Sequence, residues 1–229
     1  MILVTRKEWN ARAPKNRTSL SKAVQKGTAL HYSGANADEL AEHKKCTARV
    51  RAIQNFHMDN RGWSDIAYSF LVCKHGVIFE GRGVGIRTAA NGTNAGNDAF
   101  HAVCFLGDDT ANRDDVTDPG RRAIKDAVSR CNAWAGRKEV RPHSFFKPTG
   151  CPGDELRSWI IRGMPTVPEQ KEDVLAMDEK ELLALIRRGV REEMRVLVRP
   201  DNDPDKEGSS WFDGMRSDVT AIKKAVENE

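Results

Sequence analysis

The chain contains no long uninterrupted apolar segment. A membrane-spanning helix needs about 18 or more consecutive apolar residues, and no such run occurs in the 229 residues. The first nine residues hold only a short apolar run without a cleavage site, so no secretory signal is expected there. A hydrophobic content of 39% still suffices for a buried core, and the length allows one substantial domain plus a smaller one.

Cysteines are few and their spacing is not that of a disulfide scaffold. The count of five is odd, and no two are arranged as C-x-x-C. Cys73 and Cys104 lie inside apolar runs, where a free cysteine behaves as a small hydrophobe. This usage predicts a reduced compartment. Cys151 differs because it lies in a segment rich in proline and glycine.

The front of the chain carries a net excess of basic side chains. Residues 166–229 carry 11 basic and 16 acidic side chains, whereas the preceding residues carry 26 basic and 17 acidic ones. A basic front region suggests an anionic partner such as nucleic acid, anionic lipid or a cell-wall polymer. No aromatic residues are interleaved with the basic ones and no nucleic-acid-binding motif occurs, so we expect no nucleic acid partner.

Apolar patterns of strands and helices are interleaved up to residue 163. Strands are predicted at 2–4, 27–31, 69–73, 77–80 and 99–106, and helices at 38–58, 118–134 and 155–161. The polar, glycine-rich stretch 86–98 predicts a long surface loop. Because the strands and helices do not alternate strictly, the pattern predicts an α/β domain with a mixed central β-sheet flanked by helices.

The chain changes character after residue 163. Prolines at 165 and 168 mark a linker, and two amphipathic helical stripes follow, the first opened by a capping box of Asp178 and Glu181. Two such helices cannot bury both stripes alone, so they must pack on each other, on the front domain or on another chain. We therefore predict a domain at 1–163 and a small α-helical C-terminal region at 164–229.

The segment from Arg141 to Gly153 holds the most distinctive chemistry. It places His143 and Cys151 eight residues apart on a loop stiffened by proline and glycine. Together with His31, at the end of a predicted strand, they would form a three-ligand zinc site with an open fourth position. A Cys–His nucleophile pair and a plain loop with a buried cysteine are the other interpretations of these residues.

The other histidines favour ordinary roles. His43 lies on a charged helix face and His75 in a hairpin turn, so both are expected to be solvated. For His57 and His101 a structural role is favoured.

Several segments, in their order along the chain, resemble one family. They are 5–12 (TRKEWNAR), 30–31 (LH), 46–58 with Cys46, Val50, Gln54 and His57, 61–72 (RGWSDIAYSFLV), 79–83 (FEGRG) and 149–153 (TGCPG). The chain resembles the peptidoglycan-recognition-protein and type-2 N-acetylmuramoyl-L-alanine amidase family over about residues 1–163, most closely its phage endolysins.

The resemblance implies a site and a reaction. His31, His143 and Cys151 would ligate Zn²⁺, and Tyr68 and Thr149 would hydrogen-bond the attacking water or the developing oxyanion. The reaction would be hydrolysis of the amide between N-acetylmuramic acid and L-alanine in peptidoglycan. Residues 164–229 would then bind the wall or self-associate. A phage lysin of this kind would accumulate in the host cytoplasm before its release to the cell wall.

The sequence also departs from the family pattern. Residues 140–144 (VRPHS) replace a glycine-histidine-arginine segment, a family histidine is absent around 89–91, and Cys46 lacks the nearby disulfide partner of many animal members. The alternative function is a non-catalytic peptidoglycan-binding module. Such members usually lack the cysteine ligand, whereas this chain keeps both Cys151 and Tyr68.

Overall fold

The computed structural model describes residues 2–34, 40, 42–108 and 116–165. Its strands and main helices, in chain order, are β1 (Ile2–Val4), β2 (Gly27–Tyr32), α1 (His43–Asn55), β3 (Phe70–Cys73), β4 (Val77–Glu80), α2 (Asn94–Ala99), β5 (Phe100–Leu106), α3 (Asp118–Ala135), β6 (Glu139–Pro142) and α4 (Asp154–Ile161). Helix α1 passes into a π-helical stretch, Phe56–Asn60, and a 3-10 turn, His143–Phe145, follows β6.

The strands form one six-stranded sheet in the order β1-β4-β3-β5-β2-β6. β3 and β4 are an antiparallel hairpin pair, and the other neighbouring pairs are parallel. Helices lie in the crossover connections that parallel strands require. The predicted α/β domain with a mixed sheet is confirmed.

Alternation along the strands divides the core into two layers. Successive side chains of a strand point to opposite faces, so Leu30 and Val103 belong to one cluster, whereas Leu71 and Cys104 belong to the other. The first cluster includes buried residues of α3 and α4, and the second includes Val50 of α1. His31 alternates with Leu30 and therefore lies on the α1 face of the sheet.

Helix α3 begins and ends where its sequence predicts. The Thr117 hydroxyl accepts a hydrogen bond from the Gly120 N–H, and Pro119 occupies the first turn. Gly136 ends the helix with a φ of 64°, a conformation that suits glycine. Helix α1 starts at His43, later than the predicted residue 38, although 35–39 and 41 lie outside the described residues.

The stretch 86–98 is not the surface loop that its polarity predicts. Helix α2 begins within it, capped by the Thr93 hydroxyl, which accepts from the Gly96 N–H. Thr88 and Asn91 are wholly buried. Burial is tolerated because these polar side chains satisfy backbone groups: the Asn91 amide donates to the carbonyls of Gly96 and Phe100.

The predicted C-terminal region, 164–229, lies outside the described residues from 166 onward. The predicted boundary and the two amphipathic helices therefore stay predictions. Among the described helices, none combines the length and the apolarity that crossing a bilayer requires.

Candidate active site

Two neighbouring parallel strands bring His31 and His143 together. In the register of β2 and β6, Leu30 is paired with Pro142, so the next residue of each chain segment is a histidine. The two imidazole rings lie 4.4 Å apart between centroids. Pro142 is tolerated because β6 is an edge strand, where a missing N–H costs little pairing. The lead-in that departs from the family pattern thus places the second histidine.

Cys151 reaches the same point from the loop after the 3-10 turn. Its Sγ lies 3.9 Å from His31 Nδ1 and accepts a hydrogen bond from the Tyr32 N–H at 3.3 Å. The loop is closed by the Ser144 N–H, which donates to the Cys151 carbonyl at 3.2 Å. The donor atoms of His31, His143 and Cys151 all lie within 4.8 Å of one another.

A buried amide selects the nitrogen that His31 offers. The Asn91 Nδ2 group donates to the carbonyls of Gly96 and Phe100, at 3.0 Å each, so its Oδ1 faces His31 Nε2 at 2.9 Å. An amide oxygen accepts, so Nε2 must carry the proton and Nδ1 keeps its lone pair. Nδ1 is the nitrogen that faces Cys151. Metal-bound histidines are commonly oriented in this way through their other nitrogen.

The electrostatics keep both imidazoles neutral. Burial, assisted by the neighbouring His143, lowers the pKa of His31 to about 3. Burial and the charge of Lys147 lower the pKa of His143 to about 4. His143 Nε2 is buried without a hydrogen-bond partner among the described residues. Neutral imidazoles with free lone pairs are what a metal ion requires.

The Cys151 thiol is not activated as a nucleophile. Burial raises its pKa to about 11, although the Tyr32 N–H and Arg157 oppose the shift. Reactive cysteines have lowered pKa values, so this environment disfavours the Cys–His hydrolase interpretation. The thiol would instead lose its proton on binding a metal.

Tyr68 is held beside His31 by backbone contacts. Its ring centroid is 5.5 Å from that of His31, and its carbonyl accepts from the Arg82 N–H at 2.8 Å. Gly81 allows this approach, because a Cβ at that position would lie 2.3 Å from the Tyr68 carbonyl oxygen. Burial raises the pKa of Tyr68 well above its usual range. The hydroxyl is therefore a proton donor across neutral pH.

All five predicted site residues line one open cavity of about 300 Å³, and Lys147 lines it as well. The Thr149 hydroxyl accepts from the Cys151 N–H at 3.3 Å, which places it beside the third donor. The structure brings together every residue of the predicted site. Their chemical roles stay predictions.

Sequence reasoning missed other residues that bear on metal binding. Asn91 could not be recognised from the sequence, because the family resemblance implies a histidine, not an asparagine, near 89–91. The expectation that His43 and His75 are solvated is wrong: both are half-buried beside the buried thiols of Cys46 and Cys73. The spacings His43-x-x-Cys46 and Cys73-x-His75 could have shown this pairing of donors.

The donor set fits zinc. Two imidazoles and one thiol match the ligands that zinc takes in proteins, and three protein donors leave the fourth tetrahedral position for water or substrate. Here that fourth position would face the cavity that His31, His143 and Cys151 line.

Comparison with known proteins places the chain among relatives of two kinds. No protein-family model matches it. Peptidoglycan-recognition protein SD of Drosophila melanogaster is 32% identical over 175 residues, which are 73% of this chain and 88% of that protein. The N-acetylmuramoyl-L-alanine amidase of Homo sapiens is 30% identical over 164 residues, which are 66% of this chain and 27% of the amidase. The chain thus spans about a quarter of the length of the human amidase and of the similar pig amidase.

Solved structures show the same relationship. The ectodomain complex of peptidoglycan recognition proteins LCa and LCx, bound to tracheal cytotoxin, matches with a TM-score of 0.62 and 26% identity. The match covers 72% of this chain and 97% of that chain. Since relatives of at least 30% identity are covered over most of their length, the chain belongs to the family of peptidoglycan-recognition proteins and N-acetylmuramoyl-L-alanine amidases.

Proposed function

We propose that the chain is a zinc-dependent N-acetylmuramoyl-L-alanine amidase that hydrolyses peptidoglycan. The observation that carries the proposal is the set of two neutral imidazoles and one thiol that opens onto a cavity beside Tyr68. Amidases among the relatives, and a similar structure with bound tracheal cytotoxin, agree with a peptidoglycan substrate.

The residues of the site divide into ligands and hydrogen-bond donors. His31, His143 and Cys151 would hold the ion. Zinc, when bound, supplies a Lewis acid that polarises the scissile carbonyl and lowers the pKa of a water molecule. The Tyr68 hydroxyl, kept protonated by burial, donates a hydrogen bond to the developing oxyanion. Thr149 lies beside Cys151 and would hydrogen-bond the attacking water.

Chelation tests the reaction and its metal together. We expect the purified full chain to release the stem peptide with a free N-terminal L-alanine from a soluble muropeptide, as measured by mass spectrometry. Activity should disappear with a chelator and return with Zn²⁺. Tight muropeptide binding without hydrolysis at any zinc concentration would instead support a non-catalytic recognition module. Activity that survives chelation but is lost on thiol alkylation would support a cysteine hydrolase.

The biological role is the second part of the proposal. All the described cysteines are free thiols, which agrees with synthesis in a reducing compartment. We infer a phage endolysin that accumulates in the host cytoplasm and then attacks the cell wall. Expression of the chain in a bacterial host should lyse the cells only when the inner membrane is permeabilised. Lysis without permeabilisation would contradict this role.

Residues 164–229 are proposed to bind the wall or to self-associate. Removal of residues 169–229 should leave hydrolysis of a soluble muropeptide unchanged while it reduces binding to intact walls or changes the oligomeric state. Loss of hydrolysis on the soluble substrate would contradict a separable accessory role.

A further inference from the structure

A second cluster of metal-binding side chains lies outside the proposed active site. Its members are His43, Cys46, Cys73 and His75, and their donor atoms all lie within 4.8 Å of one another. The proposed hydrolysis uses none of these residues.

Two elements that are distant in sequence each contribute one histidine and one cysteine. Helix α1 supplies His43 and Cys46, which are three residues apart and therefore lie on one face. Strand β3 ends at Cys73, and His75 lies in the turn that leads to β4. The cluster thus joins the first turn of α1 to the β3–β4 hairpin.

The distances suit a tetrahedral ion. Cys46 Sγ lies 3.5 Å from His75 Nδ1, and Cys73 Sγ lies 3.8 Å from His43 Nδ1. Zinc takes nitrogen at about 2.0–2.1 Å and sulfur at about 2.3 Å, so neighbouring ligands of a tetrahedral site lie roughly 3.3–3.8 Å apart. The observed pairs match two edges of such a tetrahedron.

Burial separates these donors from ordinary surface residues. The side chains of Cys46 and Cys73 are completely buried, and both histidines are half-buried. The imidazole of His43 also packs against that of His75, with ring centroids 5.4 Å apart. A helix that packs on a hairpin through apolar contacts alone would not require two imidazoles and two thiols at one point.

The hairpin turn is positioned before any ion binds. The Thr117 hydroxyl donates to the Lys74 carbonyl, and Gly76, with a φ of 83°, lies against Pro119. The first turn of α1 has less support, because its N-cap residue, Glu42, makes no capping hydrogen bond through its side chain. An ion would fasten this turn to a rigid partner.

We propose that His43, Cys46, Cys73 and His75 bind one Zn²⁺ in a closed structural site. Four protein donors complete the tetrahedron and leave no position for water, which is the property of structural rather than catalytic zinc. Its role is to hold α1 against the hairpin. This site is independent of the proposed amidase activity.

Metal stoichiometry of the full chain tests the proposal. We expect two zinc ions per chain for the wild type, and one for both Cys151→Ser and the double variant Cys46→Ser/Cys73→Ser. The control Cys131→Ser, which alters a buried thiol of α3 in the other core layer, should keep two. One ion in the wild type, retained by the double variant and lost by Cys151→Ser, would overturn the second site and leave the amidase proposal intact.

Cobalt spectroscopy covers the case in which the double variant fails to fold. In Cys151→Ser the proposed active site has no thiolate ligand. Any sulfur-to-cobalt charge-transfer band, together with intense visible bands of tetrahedral Co²⁺, must then come from the second cluster. We expect both features, and their absence from folded Cys151→Ser protein would overturn the proposal. A Cys46–Cys73 disulfide in protein purified with zinc, seen as a mass lower by two hydrogens, would overturn it as well.

Discussion

The two histidine–cysteine clusters lie on the same face of the sheet but differ in the number of donors and in access. His31, in β2, belongs to three donors that line a cavity of about 300 Å³. Cys73, at the end of β3, belongs to four donors at the junction of a helix and a hairpin. Three donors beside a cavity leave room for a reacting molecule, whereas four donors leave none. The same side chains can therefore serve catalysis at one point and stability at another.

The largest difference between the two clusters is expected when one histidine is removed from each. His143→Ala should lower kcat/KM on a soluble muropeptide by more than about 1000-fold, because the site loses a ligand and with it several kcal/mol of stabilisation of the transition state. His75→Ala should leave kcat/KM of the folded protein within about threefold and lower the midpoint of thermal unfolding. Equal losses of activity in both variants would contradict the division of roles.

Replacement of Tyr68 distinguishes an effect on the reaction from an effect on metal binding in the three-donor site. Tyr68→Phe should lower kcat by about 100-fold to 1000-fold, because the oxyanion loses a preorganised donor. Zinc content should not change. The only other tyrosine, Tyr32, lines the same cavity and provides the comparison. We expect steady-state kinetics to show a smaller decrease of kcat for Tyr32→Phe than for Tyr68→Phe. A larger decrease of kcat for Tyr32→Phe would contradict the assignment.

Asn91 tests whether the open site depends on its supporting amide. Asn91→Ala removes the acceptor that fixes the tautomer of His31, and we expect zinc affinity at that site to fall by about 10-fold to 100-fold. Competition with a chromophoric chelator measures this affinity. The four-donor cluster, which Asn91 does not contact, should keep its affinity in the same titration. A competition curve identical to that of the wild type would show that His31 is oriented by other contacts.

A smaller effect concerns a histidine outside both clusters. His101 is completely buried, its Nε2 accepts from the Gly85 N–H at 3.0 Å, and burial lowers its pKa to about 4. An unfolded histidine, with a pKa of about 6.5, takes up its proton first as the pH falls, so folding stability is lost between about pH 6.5 and pH 4. From about pH 7 to pH 5, His101 should account for about 1–2 kcal/mol of lost free energy of unfolding.

Urea unfolding at pH 7 and pH 5 measures this loss of free energy of unfolding. His101→Gln keeps an acceptor for Gly85 but does not titrate, so the variant should lose less stability than the wild type on acidification. Metal release affects both proteins alike and cancels in the comparison. The same loss of stability in both proteins would mean that the acid sensitivity comes from elsewhere, including the two clusters.

Much of the fold follows from local patterns in the sequence. The apolar run at 99–106 predicts β5, which is buried along its whole length, and Thr117, Pro119 and Gly136 mark the ends of α3. The stretch 86–98 could not be predicted in this way. The Asn91 side chain is buried because it donates to the backbone carbonyls of Gly96 and Phe100, and composition carries no information about which backbone groups will be its partners.

The residues of the candidate site were predictable only in part. Resemblance to a family selected His31, Tyr68, His143, Thr149 and Cys151, and the structure brings them around one cavity. It also shows why the unusual Arg141-Pro142 lead-in is compatible with the site, because β6 is an edge strand in register with β2. Asn91 escaped detection because a tautomer is fixed by geometry and not by residue type.

The amino-acid sequence alone specifies the α/β class, most of the helices and strands, and the histidine and cysteine residues that are available for chemistry. Propensities, caps and apolar periodicity act over a few residues, so the chain expresses them locally. Which of these donors lie next to one another depends on tertiary packing. Strand pairing brought His31 next to His143, and the packing of α1 on the hairpin brought His43 and Cys46 next to Cys73 and His75. Such encounters depend on contacts between residues far apart in the chain, which no local pattern encodes.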